Sequence, residues 1–272
     1  MGPFVGFRIS RDNGKTWQET PCTPGKPLFG EVTKSVDQYV PQTRPGPNVS
    51  AEMFHNRPTV KMGSPHFVDF GRNMEHSPDG MAYLLGHGAT RASATCTWVS
   101  GDQVYLARVK PSPATINDVG SYEFFAGHDT KGEPVWVKEF SKVKPLLEWN
   151  DRLGCVTATW NPVLKRFLMC VTNGGETGMG TFDTMIFESE ELTGPWRRIT
   201  RMEKFGQQVY FVNIPSKFIS ADGHTMWLCY AANWRANGIK SNPPGSRYGM
   251  CLQEVKILLP QKDIQGLSHN QR

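Results

Sequence analysis

The thirteen residues from Ser64 to His76 (Ser-Pro-His-Phe-Val-Asp-Phe-Gly-Arg-Asn-Met-Glu-His) hold two carboxyls, two histidines, an arginine and an asparagine. That density exceeds what a turn requires. Cleavage of a glycosidic bond uses two carboxyls held at a fixed separation across the scissile bond, one as general acid and one as base or nucleophile. Glu75 is the candidate acid, Asp69 the partner carboxylate, and His66 a group that could orient a sugar hydroxyl. The same residues admit a plainer use, with Glu75 and His76 solvating the turn that Ser77 opens and Asp69 paired with Arg72.

A second cluster is Leu85-Gly86-His87-Gly88-Ala89-Thr90-Arg91, where the glycines leave His87 uncrowded and Arg91 could grip a carboxylate or hydroxyl. A satisfied histidine at a strand end would look the same. Asn213-Ile214-Pro215-Ser216-Lys217 brings Asn213 and Lys217 to a bend, as a binding rim or a solvated one. Trp160, Trp234, Tyr122 and Tyr210 offer flat faces for stacking on sugar rings, although most of the eight tryptophans of a β protein serve the core. The candidate binding set is His66, His87, Arg91, Tyr122, Asn213 and Lys217.

These side chains need a scaffold, and composition points to strands. The chain has 27 Gly, 20 Pro, 15 Phe, 8 Trp and 7 Tyr in 272 residues, which suits short strands joined by tight turns. Ser77-Pro78-Asp79-Gly80 and Ser220-Ala221-Asp222-Gly223, each between strand-like segments, are one hairpin written twice; Asp braces the turn and Gly takes the positive φ. Trp160-Asn161-Pro162 and Ser10-Arg11-Asp12-Asn13-Gly14 are two further versions. The four lie roughly 60–80 residues apart, a spacing that fits propeller blades with enlarged loops. The innermost strands are expected at Phe67–Gly71, around Tyr122–Phe125, at Cys155–Trp160 and at Phe211–Phe218, with ligands on the rim they reach.

Two motifs add a family resemblance. Ser10-x-Asp12-x-Gly14-x-x-Trp17 resembles the Asp-box of sialidase-type propellers, in which the Trp packs between strands, away from the sugar. Glu188 to Trp196 (Glu-Ser-Glu-Glu-Leu-Thr-Gly-Pro-Trp) resembles the link between outer strands in arabinanase-like and invertase-like five-bladed propeller hydrolases. Val104–Val109, Ser121–Gly127 and Pro134–Trp136 are similar to proteins carrying domain of unknown function 4185, some of which are glycan hydrolases. The resemblance covers roughly residues 60 to 255 and implies an all-β, five-bladed-type β-propeller with about four blades in this chain, N-terminally truncated. It implies one domain over residues 1–260, a polar tail over 261–272, an extracellular location and an oligo- or polysaccharide partner. Hydrolysis is the first expected function. A non-catalytic carbohydrate-binding propeller and a polysaccharide lyase using His or Tyr are the alternatives.

Other classes find little support. The formal charge of +5 is scattered without a basic block or stripe, so nucleic acid is not an expected partner. The six cysteines make no CxxC or Cys/His cluster, and buried free thiols are expected over a Cys155–Cys170 bridge. No Gly-rich phosphate loop, G-x-S-x-G or HExxH occurs. No apolar run has the length of a membrane helix, and the first residues carry no targeting signal. No cofactor or metal is expected, an axial calcium having no support in the sequence, and the protein is expected to be a monomer. Asn48-Val49-Ser50 is a glycosylation sequon, meaningful only on an exported chain.

Overall fold

The computed structural model describes residues 4–31, 60–89, 96, 99–174, 180–233 and 248–258. Their secondary structure consists of strands β1 (Val60–Phe67), β2 (Ala82–Ala89), β3 (Gln103–Val109), β4 (Tyr122–His128), β5 (Pro134–Val137), β6 (Leu147–Glu148), β7 (Val156–Asn161), β8 (Arg166–Asn173), β9 (Thr181–Ser189), β10 (Arg197–Gln207), β11 (Tyr210–Asn213), β12 (Thr225–Ala232) and β13 (Gly249–Lys256), with a few 3-10 turns and no α-helix among the described residues. They form three antiparallel sheets ordered β1-β2-β3-β4-β5 with β6 also on β3, β10-β9-β8-β7, and β11-β12-β13.

Side-chain alternation explains how the sheets stack. On β2 and β3, Tyr83, Leu85, Val104 and Leu106 enter one apolar cluster, while Ala82, Leu84, Tyr105, Ala107 and Val109 enter another on the opposite face. Successive side chains of a strand point to opposite faces, so a strand covered on both sides reads as a continuous apolar run. The first cluster is shared with Phe167, Met169, Val171, Met185 and Phe187 of the second sheet, and the other with Leu28 and Phe29 of the N-terminal segment. Leu168, Cys170 and Ile186 leave the far face of the second sheet to meet Val212, Met226 and Leu228 of the third. The order in space is therefore N-terminal segment, first sheet, second sheet, third sheet. On the third sheet the pattern becomes half-buried: Met226 and Leu228 are covered while Trp227 between them is 37% exposed.

The first strands of the three sheets lie side by side. Asp69, just beyond β1, bridges Thr159 of β7 in parallel, and Thr157 and Thr159 donate Oγ1 hydrogen bonds of 2.8 and 2.6 Å to the carbonyls of Val212 and Ile214 along the line of β11. His66 of β1 meets the Phe211 ring at 4.9 Å. Successive meanders with parallel inner strands packed on one another are the arrangement of propeller blades, and the fold is all-β of that type.

The repeated turns share one geometry. Ser10, Ser77 and Ser220 each donate to the carboxylate of the Asp two residues on, at 2.9, 3.4 and 2.5 Å, and each Asp also accepts a backbone N–H, from Thr16, Met81 and His224. The Ser10 hairpin is closed by the bridge of Ile9 with Gln18. Two expectations need correction. Tyr122–Phe125 is not an inner strand, since β4 stands fourth in the first sheet. Trp17 does not pack between strands: it is 58% exposed, and no described sheet packs over its short hairpin. Cys155 and Cys170 are buried free thiols, as expected: Cys170 lies opposite Thr157, and Cys155 falls just before β7. The link before β10 does join the two outermost strands of its sheet, with Leu192 buried and the Trp196 indole donating to the Leu192 carbonyl at 3.2 Å.

Candidate functional site

The hub of inner strands has two ends, and the predicted carboxyls sit where those strands finish. Asp69 Oδ1 accepts the Gly71 N–H at 2.9 Å, and Oδ2 accepts the Ser216 N–H at 2.8 Å from the turn that follows β11. The side chain thus ties the first sheet to the third. Glu75 is exposed and its Oε1 accepts the Arg72 N–H at 3.1 Å, closing the turn begun at Gly71. Gly71 has φ +87°, and an added Cβ would lie 3.0 Å from that same Glu75 oxygen, so both conformation and space restrict this position to glycine.

At the opposite end, where inner strands begin, each sheet contributes buried polar groups. His87 and Asp102 come from the first, Thr172, Asn173 and Thr184 from the second, and Gln208 precedes β11. Asp102 Oδ1 accepts the Asp151 N–H at 3.1 Å, Asn173 donates to the Asp151 carbonyl at 3.1 Å, and Asn233 donates to Gln208 Oε1 at 2.5 Å. Close approach is a condition here: a Cβ on Gly101 would meet the Leu153 carbonyl at 2.6 Å. Burial, followed by the nearby Tyr248, pushes the Tyr210 phenol up to about 12, and burial, with Cys96 close by, pushes the Cys155 thiol up. Both stay protonated at neutral pH.

Beside the hub, the open face of the third sheet carries a cleft of about 350 Å³ lined by Phe211, Asn213, Cys229, Tyr230, Ala231, Tyr248, Gly249 and Met250. Asn213 spends its amide protons on the carbonyls of Phe211 and Cys229, at 3.1 and 3.2 Å, which leaves its acceptor Oδ1 as the atom to meet a ligand. Tyr248 is 49% exposed and Met250 77%. The cleft can therefore offer aromatic faces and a hydrogen-bond acceptor to a ligand with apolar and hydroxylated surfaces.

The predicted binding residues separate on this frame. Asn213 lines the cleft, and His66 reaches its edge through Phe211, with its Nδ1 2.9 Å from the Ser64 carbonyl and burial lowering its pKa from the ordinary value. His87 is fully buried at the polar end. Lys217 is exposed on the 3-10 turn after Pro215, its Nζ 5.0 Å from the Phe218 ring centroid. Tyr122 has no exposed surface and donates its hydroxyl to the Ile116 carbonyl at 2.7 Å, so it offers no face to a ligand. Trp160 packs on Phe167 at 4.6 Å, as a core tryptophan does. Arg91, Trp234, Asn48 and the tail 261–272 lie outside the described residues.

Sequence reasoning passed over Tyr248 and Glu31. Glu31 accepts the N–H groups of Lys61 and Met62 at 2.7 and 3.2 Å where β1 departs from regular pairing with β2, and burial raises its pKa. Nothing local to position 31 signals a partner thirty residues on. The alternation of Tyr248, just before β13, with Met250 and Leu252 on it is the one legible sign of an apolar face. Among the described residues no group of three His, Cys, Asp or Glu could hold a metal ion, and no helix is long and apolar enough to cross a membrane.

No family model and no curated protein matches the sequence. Among solved structures, the chain is similar to an endo-arabinase from Bacteroides thetaiotaomicron, with TM-score 0.39 and 12% identity over 72% of this chain and 51% of that one. A GH43 β-xylosidase/α-arabinofuranosidase from a compost microbial metagenome gives 0.36 and 12% over 61% and 42%. A GH43_1 enzyme from Xanthomonas citri gives 0.36 and 10% over 62% and 39%. The chain spans about half the length of these structures, or less. Likenesses of this size leave the fold to rest on sheet order and packing.

Proposed function

We propose that this chain is a carbohydrate-binding propeller unit that takes an oligo- or polysaccharide in the cleft on the third sheet. The observation that supports it is the grouping of Phe211 and Tyr248 around Asn213, aromatic faces beside an oriented amide. Sugar rings bury C–H faces on aromatics and hydrogen-bond at their edges, and the cleft matches both needs. Titration calorimetry against neutral arabino- and xylo-oligosaccharides tests it: Tyr248→Ala is expected to weaken binding about tenfold or more. Saturable binding that Tyr248→Ala leaves unchanged would remove the cleft from the role.

Hydrolysis is the second reading, with Glu75 as acid and Asp69 as partner. It is favoured by both carboxyls closing on adjacent N–H groups of one turn, at Gly71 and Arg72, with Glu75 open to solvent. Glu75→Gln should then lower sugar release about a hundredfold. Equal release by the variant and the parent chain would leave binding as the function.

A further inference from the structure

A second concavity, of about 130 Å³, opens at the seam between the first and second sheets and is lined by Trp149, Arg152, Asn173, Asp183, Met185 and Arg201, none of them shared with the cleft. From its composition we infer a second sugar subsite, one that takes a single neutral pyranose ring of an oligosaccharide. This rests on the carbohydrate-binding reading and gives it a second point of attachment.

The platform is prepared in advance. Trp149 sits on a turn held at both ends: its N–H donates to the Asp102 carbonyl at 2.8 Å, and Asp102 Oδ1 accepts the Asp151 N–H. Asn173 of the neighbouring sheet donates to the Asp151 carbonyl, which locks the turn against the wall of the cavity. The indole remains 38% exposed, and the Arg198 guanidinium lies 5.4 Å from its ring centroid. A large aromatic on a fixed turn loses little freedom when it stacks on a ring.

The opposite wall is polar and rigid. Arg201 grips Asp183 Oδ2 with Nε at 3.0 Å and Nη2 at 2.6 Å, while the Lys204 N–H holds Oδ1 at 2.9 Å. Two guanidinium donors converge on one carboxylate oxygen while the backbone holds the other, so the remaining N–H groups and carboxylate lone pairs stand together for vicinal hydroxyls. Charge decides between ligand classes. Arg152 and Arg201 on the lining already act on Asp183, and Arg201 also pairs with Glu203 at 3.1 Å, so these charges are engaged with one another before a uronate could meet them. Size decides the rest: the volume is well under the ~300 Å³ at which pockets for drug-sized ligands begin, and suits one ring.

The test uses the whole chain and three trisaccharide probes, cellotriose and mannotriose as neutral ligands and trigalacturonate as the acidic one. Binding is read by calorimetry and by the indole N–H signal of Trp149, assigned with Trp149→Phe. At least one neutral trisaccharide is expected to shift that signal saturably; Trp149→Ala should weaken this event tenfold or more, and Trp149→Phe only a few-fold. The cleft variant Tyr248→Ala should leave it unchanged. Neither neutral probe moving the Trp149 signal, tighter binding of trigalacturonate, or a Trp149→Ala chain that keeps its fold and its affinity would each overturn the inference. Loss of this event alone, with cleft binding intact, would sink the seam site and spare the first reading.

Discussion

Asp69 carries two backbone N–H bonds from segments 147 positions apart in sequence at the Ser216 contact, and its loss should be felt as stability. Asp69→Asn keeps the shape but sets an NH2 against one of the two donors, a mismatch worth about 1–3 kcal/mol in a urea titration. A variant of unchanged stability would show that the brace is idle. His66 makes a pH prediction. Burial against Phe211 lowers its folded-state pKa below the ordinary 6.5, so the unfolded chain binds the proton more readily, and this residue's contribution to stability falls as pH drops below about 6.5. In His66→Gln the part of the slope between pH 7.5 and 5.5 due to this residue should vanish; an identical slope would refute the assignment.

Elements are tied to one another by single side chains at their turns. Asn161 ends β7, accepts the N–H groups of Val163 and Leu164 with Oδ1, both at 3.2 Å, and donates to the Gly223 carbonyl at 2.8 Å in the Ser220–Gly223 turn of the third sheet. Asn161 is fully buried, so Asn161→Ala strands three backbone groups and should cost about 1–3 kcal/mol, read as a lowered denaturation midpoint. A change of a few tenths would mean that water replaces the amide at no loss. The repeated Ser-x-Asp turns were readable in the sequence because their hydrogen bonds close within a few residues. The lock from Asn161 to Gly223 spans 62 residues and had no local sign.

For the whole molecule, the hub is held by the parallel run of Thr157 and Thr159 onto the carbonyls of Val212 and Ile214. The third sheet depends on this seam, since among the described residues no strand covers its other face, where Met250 and Leu252 are 77% and 44% exposed. Replacing both threonines by valine should therefore speed hydrogen exchange in β11 and β12 more than in β2 and β3, which are covered on both faces. Uniform exchange across the three sheets would contradict the dependence.

Hairpin turns, strand-rich composition and the all-β class were all readable from residue order alone, because turn chemistry and alternation act over two to five positions. Which faces those strands cover, and so which polar residues stand open, came only with the packing. Tyr122 and Tyr248 are both tyrosines near strand termini; one has no exposed surface and the other is half open, because Phe29 and Phe124 close over the first while no described sheet follows the third. Burial is a sum over neighbours brought from far along the chain, and no short window of sequence contains that sum.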